Sequence, residues 1–176
     1  MILLKDGSKV EIRKLNVADA FERIKFRLKL AAETEATMNR YPEEVNQDIT
    51  IEMEKIEDGM ESPHKGLYAF KGSRIIGYCI YGPTEDTIKS HHRAYIGLGI
   101  LKKYTNQGLG TAFMEIVLKN LKEEGYTQAE LEVVEDNVPA IALYDKFGFK
   151  EYGRRPNSFI LKDGTVKANI LMYKTI

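Results

Sequence analysis

Residues 94–111 read Ala94-Tyr95-Ile96-Gly97-Leu98-Gly99-Ile100-Leu101-Lys102-Lys103-Tyr104-Thr105-Asn106-Gln107-Gly108-Leu109-Gly110-Thr111. An apolar run of strand length gives way to a short polar stretch and then to Gly-Leu-Gly. From Leu109 onward Ala112, Phe113, Ile116, Val117 and Leu121 recur at helical spacing, and Gly125 stands where a helix C-cap is expected. The stretch therefore reads as strand, loop and helix, with the helix starting at Gly108 or Leu109. The first helical turn has N–H groups without partners and carries the positive end of the helix dipole, which together make an anion site. Gly108 and Gly110 lack a Cβ, so a bulky pyrophosphate can approach the backbone. There is no Ser, Thr or Asp immediately before the helix to cap it. On these residues alone, a phosphate cradle and a plain glycine turn fit equally well. The spacing matches neither the dinucleotide fingerprint nor the Walker loop.

Working outward, residues 129–134 form the next strand, 138–147 a short helix ended by Gly148, and 149–152 and 170–173 closing strands with a turn at Asp163-Gly164. Upstream, residues 67–70 and 74–81 are strands joined by Lys71-Gly72-Ser73, and the second is apolar on both faces, as a mid-sheet strand is. Residues 2–4 and 10–12 flank Asp6-Gly7 and predict an opening hairpin. Val17, Ala20, Phe21, Ile24, Leu28 and Ala31 predict a helix with Asn16 placed to cap it. Residues 33–64 are acidic, contain Pro42 and Pro63, and read as an exposed excursion with an amphipathic helix on Ile49, Met53 and Ile56. This order predicts a mixed α/β (α+β) sheet with a parallel crossover between residues 94 and 134.

A chain of 176 residues predicts one domain, 1–176, large enough to bury a core without staples. Lys plus Arg and Asp plus Glu both number 26, so the balance argues against a nucleic-acid partner. The single cysteine, Cys79, lies in an apolar strand and reads as a small buried hydrophobe. A chain with no disulfide to form fits the cytoplasm. No stretch is apolar enough to cross a bilayer, and the N-terminus is charged too early for a secretion signal. No membrane partner and no metal are expected.

The decisive second constellation is Leu131-Glu132-Val133-Val134-Glu135-Asp136-Asn137-Val138-Pro139-Ala140-Ile141-Ala142-Leu143-Tyr144-Asp145-Lys146-Phe147-Gly148-Phe149. With the glycine loop before it, this run resembles the GCN5-related N-acetyltransferase superfamily. That family shows a Q/R-x-x-G-x-G/A loop followed by N-x-x-A-x-x-L-Y-x-x-x-G-F. Here the matches are Gly108 and Gly110, then Asn137, Ala140, Leu143, Tyr144, Gly148 and Phe149. Taken singly, Tyr144 reads as a core aromatic and Asn137 as a helix N-cap. Their occurrence with the glycine loop carries the resemblance, which covers roughly residues 67–155.

The resemblance implies a central, mostly antiparallel sheet with a splayed parallel strand pair and flanking helices. It implies an enzyme that transfers the acetyl group of acetyl-CoA to a primary amine of a small molecule, peptide or protein. Thr105, Asn106, Gln107, Gly108, Leu109, Gly110 and Thr111 would present backbone N–H groups to the pyrophosphate. Leu98 and Ile100 would pair with the pantetheine arm, and the Ile100 N–H would face the thioester carbonyl. Asn137 would bond the pantetheine amides, Lys146 would add a contact, and Tyr144 would be the general acid. Thr105 departs from the family's Arg or Gln, with Asn106 or Gln107 as substitutes for the lost side-chain bond. A homodimer through the sheet edge or C-terminal strand is one implied option.

The attacking amine must be neutral. For a lysine-like amine this costs about 4.6 kcal/mol at pH 7, against roughly 1 kcal/mol for an α-amino group, so a general base is useful. The strand before the loop holds no acid. Glu132 on the next strand is the candidate, acting through water, though it equally fits an exposed strand glutamate. His91 and His92 precede the strand at 94–100 and read as surface-loop residues.

Two rivals follow from the same residues: a CoA-binding regulatory domain without turnover, and an interaction module with no cofactor. The acceptor is expected against residues 17–64 and 153–169. The cluster Glu52, Glu54, Glu57, Asp58 and Glu61 is a candidate attractor for a basic acceptor, or simply a solvated face.

Overall fold

The computed structural model describes residues 1–34 and 40–176, apart from the side chain of Glu61. The chain divides into two compact units, residues 1–82 with 98–113, and residues 83–97 with 114–176.

In the first unit β1 (Ile2–Leu3) and β2 (Lys9–Arg13) pair antiparallel around Gly7, whose φ is +79°. A 3₁₀ turn, Val17–Asp19, leads into α1 (Ala20–Glu33). Asp19 organises this entry. It accepts from both terminal nitrogens of Arg13 (2.7 and 2.8 Å) and from the Asn16 N–H (2.9 Å). The Arg13 guanidinium holds the Asp19 carboxyl below its ordinary range. Helix α2 (Ile49–Glu61) starts at Asp48, whose Oδ1 accepts from the N–H groups of Thr50 (2.8 Å) and Ile51 (3.2 Å).

The face that α2 buries differs from the one its apolar stripe predicts. Ile56 is buried, but Ile49 and Met53 are exposed, and Glu52 turns inward with only 1% of its surface accessible. It takes Nη1 of Arg23 and Nη1 of Arg27, each at 3.0 Å. Those arginines stand one turn apart on α1, so a single carboxylate reaches both. Glu52 therefore leaves the solvated acidic face, on which Glu54, Glu57 and Asp58 do lie.

β3 (Lys65–Lys71) and β4 (Arg74–Pro83) form a hairpin turned at Gly72, and β2 pairs with β3, giving the order β1-β2-β3-β4. The far end of β5 (Arg93–Ile100) returns to β4, with the Leu101 N–H donating to the Ile76 carbonyl at 3.0 Å. Phe26, Leu30, Tyr68, Phe70, Ile75 and Leu101 form the core here. Gly99 is required by that packing, because a Cβ would sit 2.4 Å from Tyr78 Cε1.

In the second unit the start of β5 pairs parallel with β6 (Gln128–Val134) from Arg93↔Gln128 to Tyr95↔Glu130, where the pairing ends. This short ladder is the splayed parallel pair expected from the sequence. β8 (Val166–Thr175) lies antiparallel on β6, and β7 (Lys150–Ile160) on β8, in the order β5-β6-β8-β7. These strands are far longer than the 149–152 and 170–173 expected, so they extend through most of 153–169 and meet at the expected turn, Asp163-Gly164. Register shifts at Glu151/Gly153 and Arg155/Phe159, and a left-handed Asn157 (φ +53°), break the alternation that would have marked them. Pro156 is tolerated because β7 is an edge strand.

Helix α3 (Leu109–Glu123) lies between β5 and β6 in the chain and buries Leu109, Phe113, Met114, Val117 and Leu121, each contributing about 2 kcal/mol of transfer free energy. Helix α4 (Val138–Lys146) buries Tyr144. Cys79 is fully buried, as expected, and burial pushes its thiol up. Among the described residues no helix is long and apolar enough to cross a membrane.

Candidate functional site

The first unit holds one group of the expected site residues. Leu98 and Ile100 lie at the end of β5, half-buried. A 3₁₀ turn, Lys102–Tyr104, follows. Thr105 is committed to that turn: its N–H (3.3 Å) and hydroxyl (2.8 Å) both donate to the Lys102 carbonyl. The loop then turns through two left-handed residues, Asn106 (φ +60°) and Gly108 (φ +92°). Two outside bonds fix its position. The Lys5 N–H of the opening hairpin donates to the Gln107 carbonyl at 3.1 Å, and Glu33 of α1 accepts the Lys102 N–H at 2.8 Å.

The α3 ladder starts with the Ala112 N–H donating to the Gly108 carbonyl at 3.1 Å. The N–H groups of Leu109 and Gly110 thus precede the first carbonyl that their own helix supplies. A Cβ added at Gly108 would meet nothing within 4 Å. The space beside Gly108 is open, and the residues fit a pyrophosphate.

The second unit holds Glu132, Asn137, Tyr144 and Lys146. Asn137 caps α4, its Oδ1 accepting from the Ala140 N–H at 3.4 Å, while its own N–H donates to the Val134 carbonyl at 2.9 Å. Tyr144 is 5% exposed, with its ring 6.0 Å from that of Phe149. The Lys146 ammonium sits 5.9 Å from the Phe147 ring. Glu132 is half-buried on β6. Its two oxygens accept from both terminal nitrogens of Arg155 at 2.7 Å each, and Asn169 Nδ2 adds a third bond at 3.0 Å. His91 is exposed beside His92, and its Nδ1 bonds the Ile88 carbonyl.

Sequence reasoning missed Arg155, and also a cluster below Glu132 on the same strand. Glu130 is buried and accepts from Arg93 Nε (2.5 Å), Arg93 Nη2 (2.8 Å) and Gln128 Nε2 (2.7 Å). With Tyr152 and Tyr173, whose rings meet edge to face at 5.8 Å, these residues line a cavity of about 340 Å³. Arg93 stands 37 positions before Glu130, and Tyr152 and Tyr173 stand 22 and 43 positions after it, so no local pattern marks them.

Known proteins resemble this chain in sequence and in fold. The [ribosomal protein bS18]-alanine N-acetyltransferase of Escherichia coli is 40% identical over 68 residues, which make up 39% of this chain and 46% of that protein. The chain thus spans about half the length of the curated relatives it matches. A GNAT-family acetyltransferase from Streptococcus pneumoniae superposes with a TM-score of 0.84 at 22% identity, covering 96% of this chain and 99% of the other. A phosphinothricin acetyltransferase from Sinorhizobium meliloti, solved in complex with acetyl-CoA, gives 0.78 at 14% identity, with 95% and 88% covered. Both likenesses are of fold. The acetyltransferase (GNAT) family model matches residues 30–149, more than half of the chain and both motifs read from the sequence, and the chain belongs to that family.

Proposed function

We propose that this chain is an acetyl-CoA-dependent N-acetyltransferase, a single domain over residues 1–176, acting on a primary amine of a small molecule, peptide or protein. The observation that carries this reading is the start of α3. It has a left-handed, open Gly108, and the Leu109 and Gly110 N–H groups have no acceptor in their own helix.

Residues Asn106 to Thr111 hold the pyrophosphate through backbone N–H groups. Thr105 contributes by shaping the turn, since its N–H and hydroxyl are engaged by Lys102. Leu98 and Ile100 take the pantetheine arm along β5, and the Ile100 N–H faces the thioester oxygen. Asn137 has its oxygen committed to the α4 cap, so it offers its amide N–H groups to the pantetheine carbonyls, and Lys146 adds a contact. Acetyl-CoA supplies the activated acetyl group. Glu132 receives the amine proton through water, its carboxylate oriented by Arg155 and Asn169. Tyr144 gives a proton to the departing sulfur. No metal takes part. A cytoplasmic setting fits the one buried, unoxidised Cys79. No nucleic-acid or membrane partner is assigned, and a homodimer is the oligomer proposed.

Thermal unfolding with and without acetyl-CoA tests the cradle, because ligand at 100 times its dissociation constant stabilises by about 2.7 kcal/mol. A screen of amino acids, polyamines, aminoglycosides and amino-terminal peptides, read by thiol release, tests transfer. Binding with no transfer to any amine would leave a CoA-binding regulatory domain instead. No shift with acetyl-CoA or CoA would remove the reading altogether.

A further inference from the structure

We infer that the cavity lined by Arg93, Gln128, Glu130, Tyr152 and Tyr173 is an acceptor subsite that takes a neutral, planar peptide group, so that the preferred acceptor is a polypeptide amino terminus. The inference rests on the acetyltransferase reading and narrows its substrate class.

Position is the first argument. Glu130 and Glu132 are two residues apart on one strand, so their side chains leave the same face of β6, separated by about 6.6 Å along it. Tyr173 stands opposite Glu130, and Leu171 opposite Glu132, in the β6–β8 ladder. Tyr152 lies within electrostatic reach of Glu130, Arg93, Glu132 and Arg155. The cavity therefore adjoins the carboxylate assigned to the acceptor amine. Its distance from Glu132 is that of roughly one to two extended residues.

Chemistry is the second argument. Among the lining residues Arg93 and Glu130 cancel, and Glu130 already accepts three hydrogen bonds, so none of them is a spare anion for a polyamine. Arg93 is held by its Nε and one terminal nitrogen, and its side chain is about a third exposed. The other terminal nitrogen is the part of the fork available as a donor. The ligand suited to such walls is flat, uncharged and rich in carbonyl oxygen. It stacks on Tyr152 or Tyr173 and accepts from Arg93, as a peptide unit does. A carboxylate finds the same donors but no net positive charge to favour it.

Tyr152 is 55% exposed, so Tyr152→Ala leaves the core intact. The probes are a neutral hexapeptide with a free α-amine, glycinamide as an amine too short to reach the cavity, and spermidine. For the peptide, Tyr152→Ala is expected to raise KM about tenfold, the loss of one ring stack. KM for acetyl-CoA and turnover of glycinamide stay unchanged. Peptide added to isotopically labelled protein is expected to shift the ring signals of Tyr152 and Tyr173, whether or not transfer occurs. An unchanged peptide KM in the variant, unmoved ring signals, or spermidine as the better acceptor would each overturn the subsite. Shifted ring signals without acetyl transfer would support the subsite and sink the catalytic reading instead.

Discussion

Glu132 and Arg155, 23 positions apart in sequence, meet in a two-pronged ion pair with both contacts at 2.7 Å. The Asn169 amide bonds Glu132 as well. Both partners are substantially solvated, so the pair contributes little to stability, on the order of 0–1 kcal/mol. Its effect is to fix the direction of the carboxylate. In the proposed mechanism, the proton that Glu132 takes comes through a water bound to a lone pair that Arg155 leaves open.

Glu132→Gln keeps the shape and removes the basicity. With a lysine-like acceptor at pH 7, kcat/KM is expected to fall about 10²-fold, the low end for general-base catalysis. The loss shrinks toward pH 9–10, where solvent deprotonates the amine. A pH-rate profile for each protein is the measurement. A deficit of equal size at all pH values would assign Glu132 to positioning, and no deficit would remove it from the mechanism.

Glu52 is predicted to matter for stability. Glu52→Ala leaves Arg23 and Arg27 facing each other without their shared carboxylate. Breaking a buried pair costs about 3–5 kcal/mol, and because the arginines are partly solvated about 2–3 kcal/mol is expected here. Glu54→Ala, on the exposed side of α2, should change stability by less than about 0.5 kcal/mol. Urea midpoints at constant m-value measure both, and equal midpoints would refute the buried role.

The glycine loop separates two effects. Gly110→Val should weaken CoA binding at least tenfold by blocking pyrophosphate approach, with the fold retained. Gly108→Ala meets open space, so its cost is the left-handed backbone alone, about 1 kcal/mol of stability. Calorimetric titration with CoA checks the first and thermal unfolding the second. Unaltered CoA affinity in folded Gly110→Val would take the cradle out of the argument.

Acid should act through Glu130 and Asp19. Arg93 first, then Gln128, holds the Glu130 carboxyl below its ordinary range, and Arg13 does the same for Asp19. A folded-state pKa below the unfolded value gives stability that is present above the unfolded pKa. That stability is lost as pH falls through the folded one. Urea midpoints should therefore hold from pH 6 to about 4.5 and decline below about 4. Glu130→Gln should flatten that decline, and a decline identical to wild type would exclude Glu130 as a contributor.

The sequence carried residues 94–149 closely, because there every signal is local. Helical spacing marks α3 and α4, glycines mark their ends, and the paired motifs lie on short connections. Elsewhere the deciding interactions are between distant residues. Glu52 is buried against arginines 25 and 29 positions away, which turns the buried face from Ile49 and Met53 toward Glu52 while Ile56 stays inside. The β7–β8 hairpin was hidden by its own irregularities, since bulges and a left-handed Asn157 erase the alternation that reveals a strand. Arg93, Glu130, Tyr152 and Tyr173 form a cavity only once four strands align, so no pattern along the chain names them. Thr105 was legible as a departure from the family motif. Its use as a turn-closing hydroxyl required the Lys102 carbonyl to be placed beside it.

Tyr144 offers the sharpest test of the chemistry. Its ring is buried on α4 against Phe149, so Tyr144→Phe keeps the ring packing and should lower stability by no more than about 1 kcal/mol, the net value of one hydrogen bond. The departing thiol has a pKa near 8.5, and a tyrosine near 10 is the weaker acid. Full proton transfer to the free thiolate is therefore uphill by about 1.5 pKa units, roughly 2 kcal/mol, so the hydroxyl assists C–S cleavage without being indispensable, and kcat should fall about 10²-fold, the low end of the range for general acids. KM for acetyl-CoA should move little, since the proton is transferred only on the way to products. A synthetic thioester with a more acidic thiol needs less help, so the defect should shrink with it. Steady-state and single-turnover rates on both thioesters, with chemistry shown to be rate-limiting, decide the matter. An unchanged kcat would end the general-acid role, and a raised KM alone would make Tyr144 a residue that positions the cofactor.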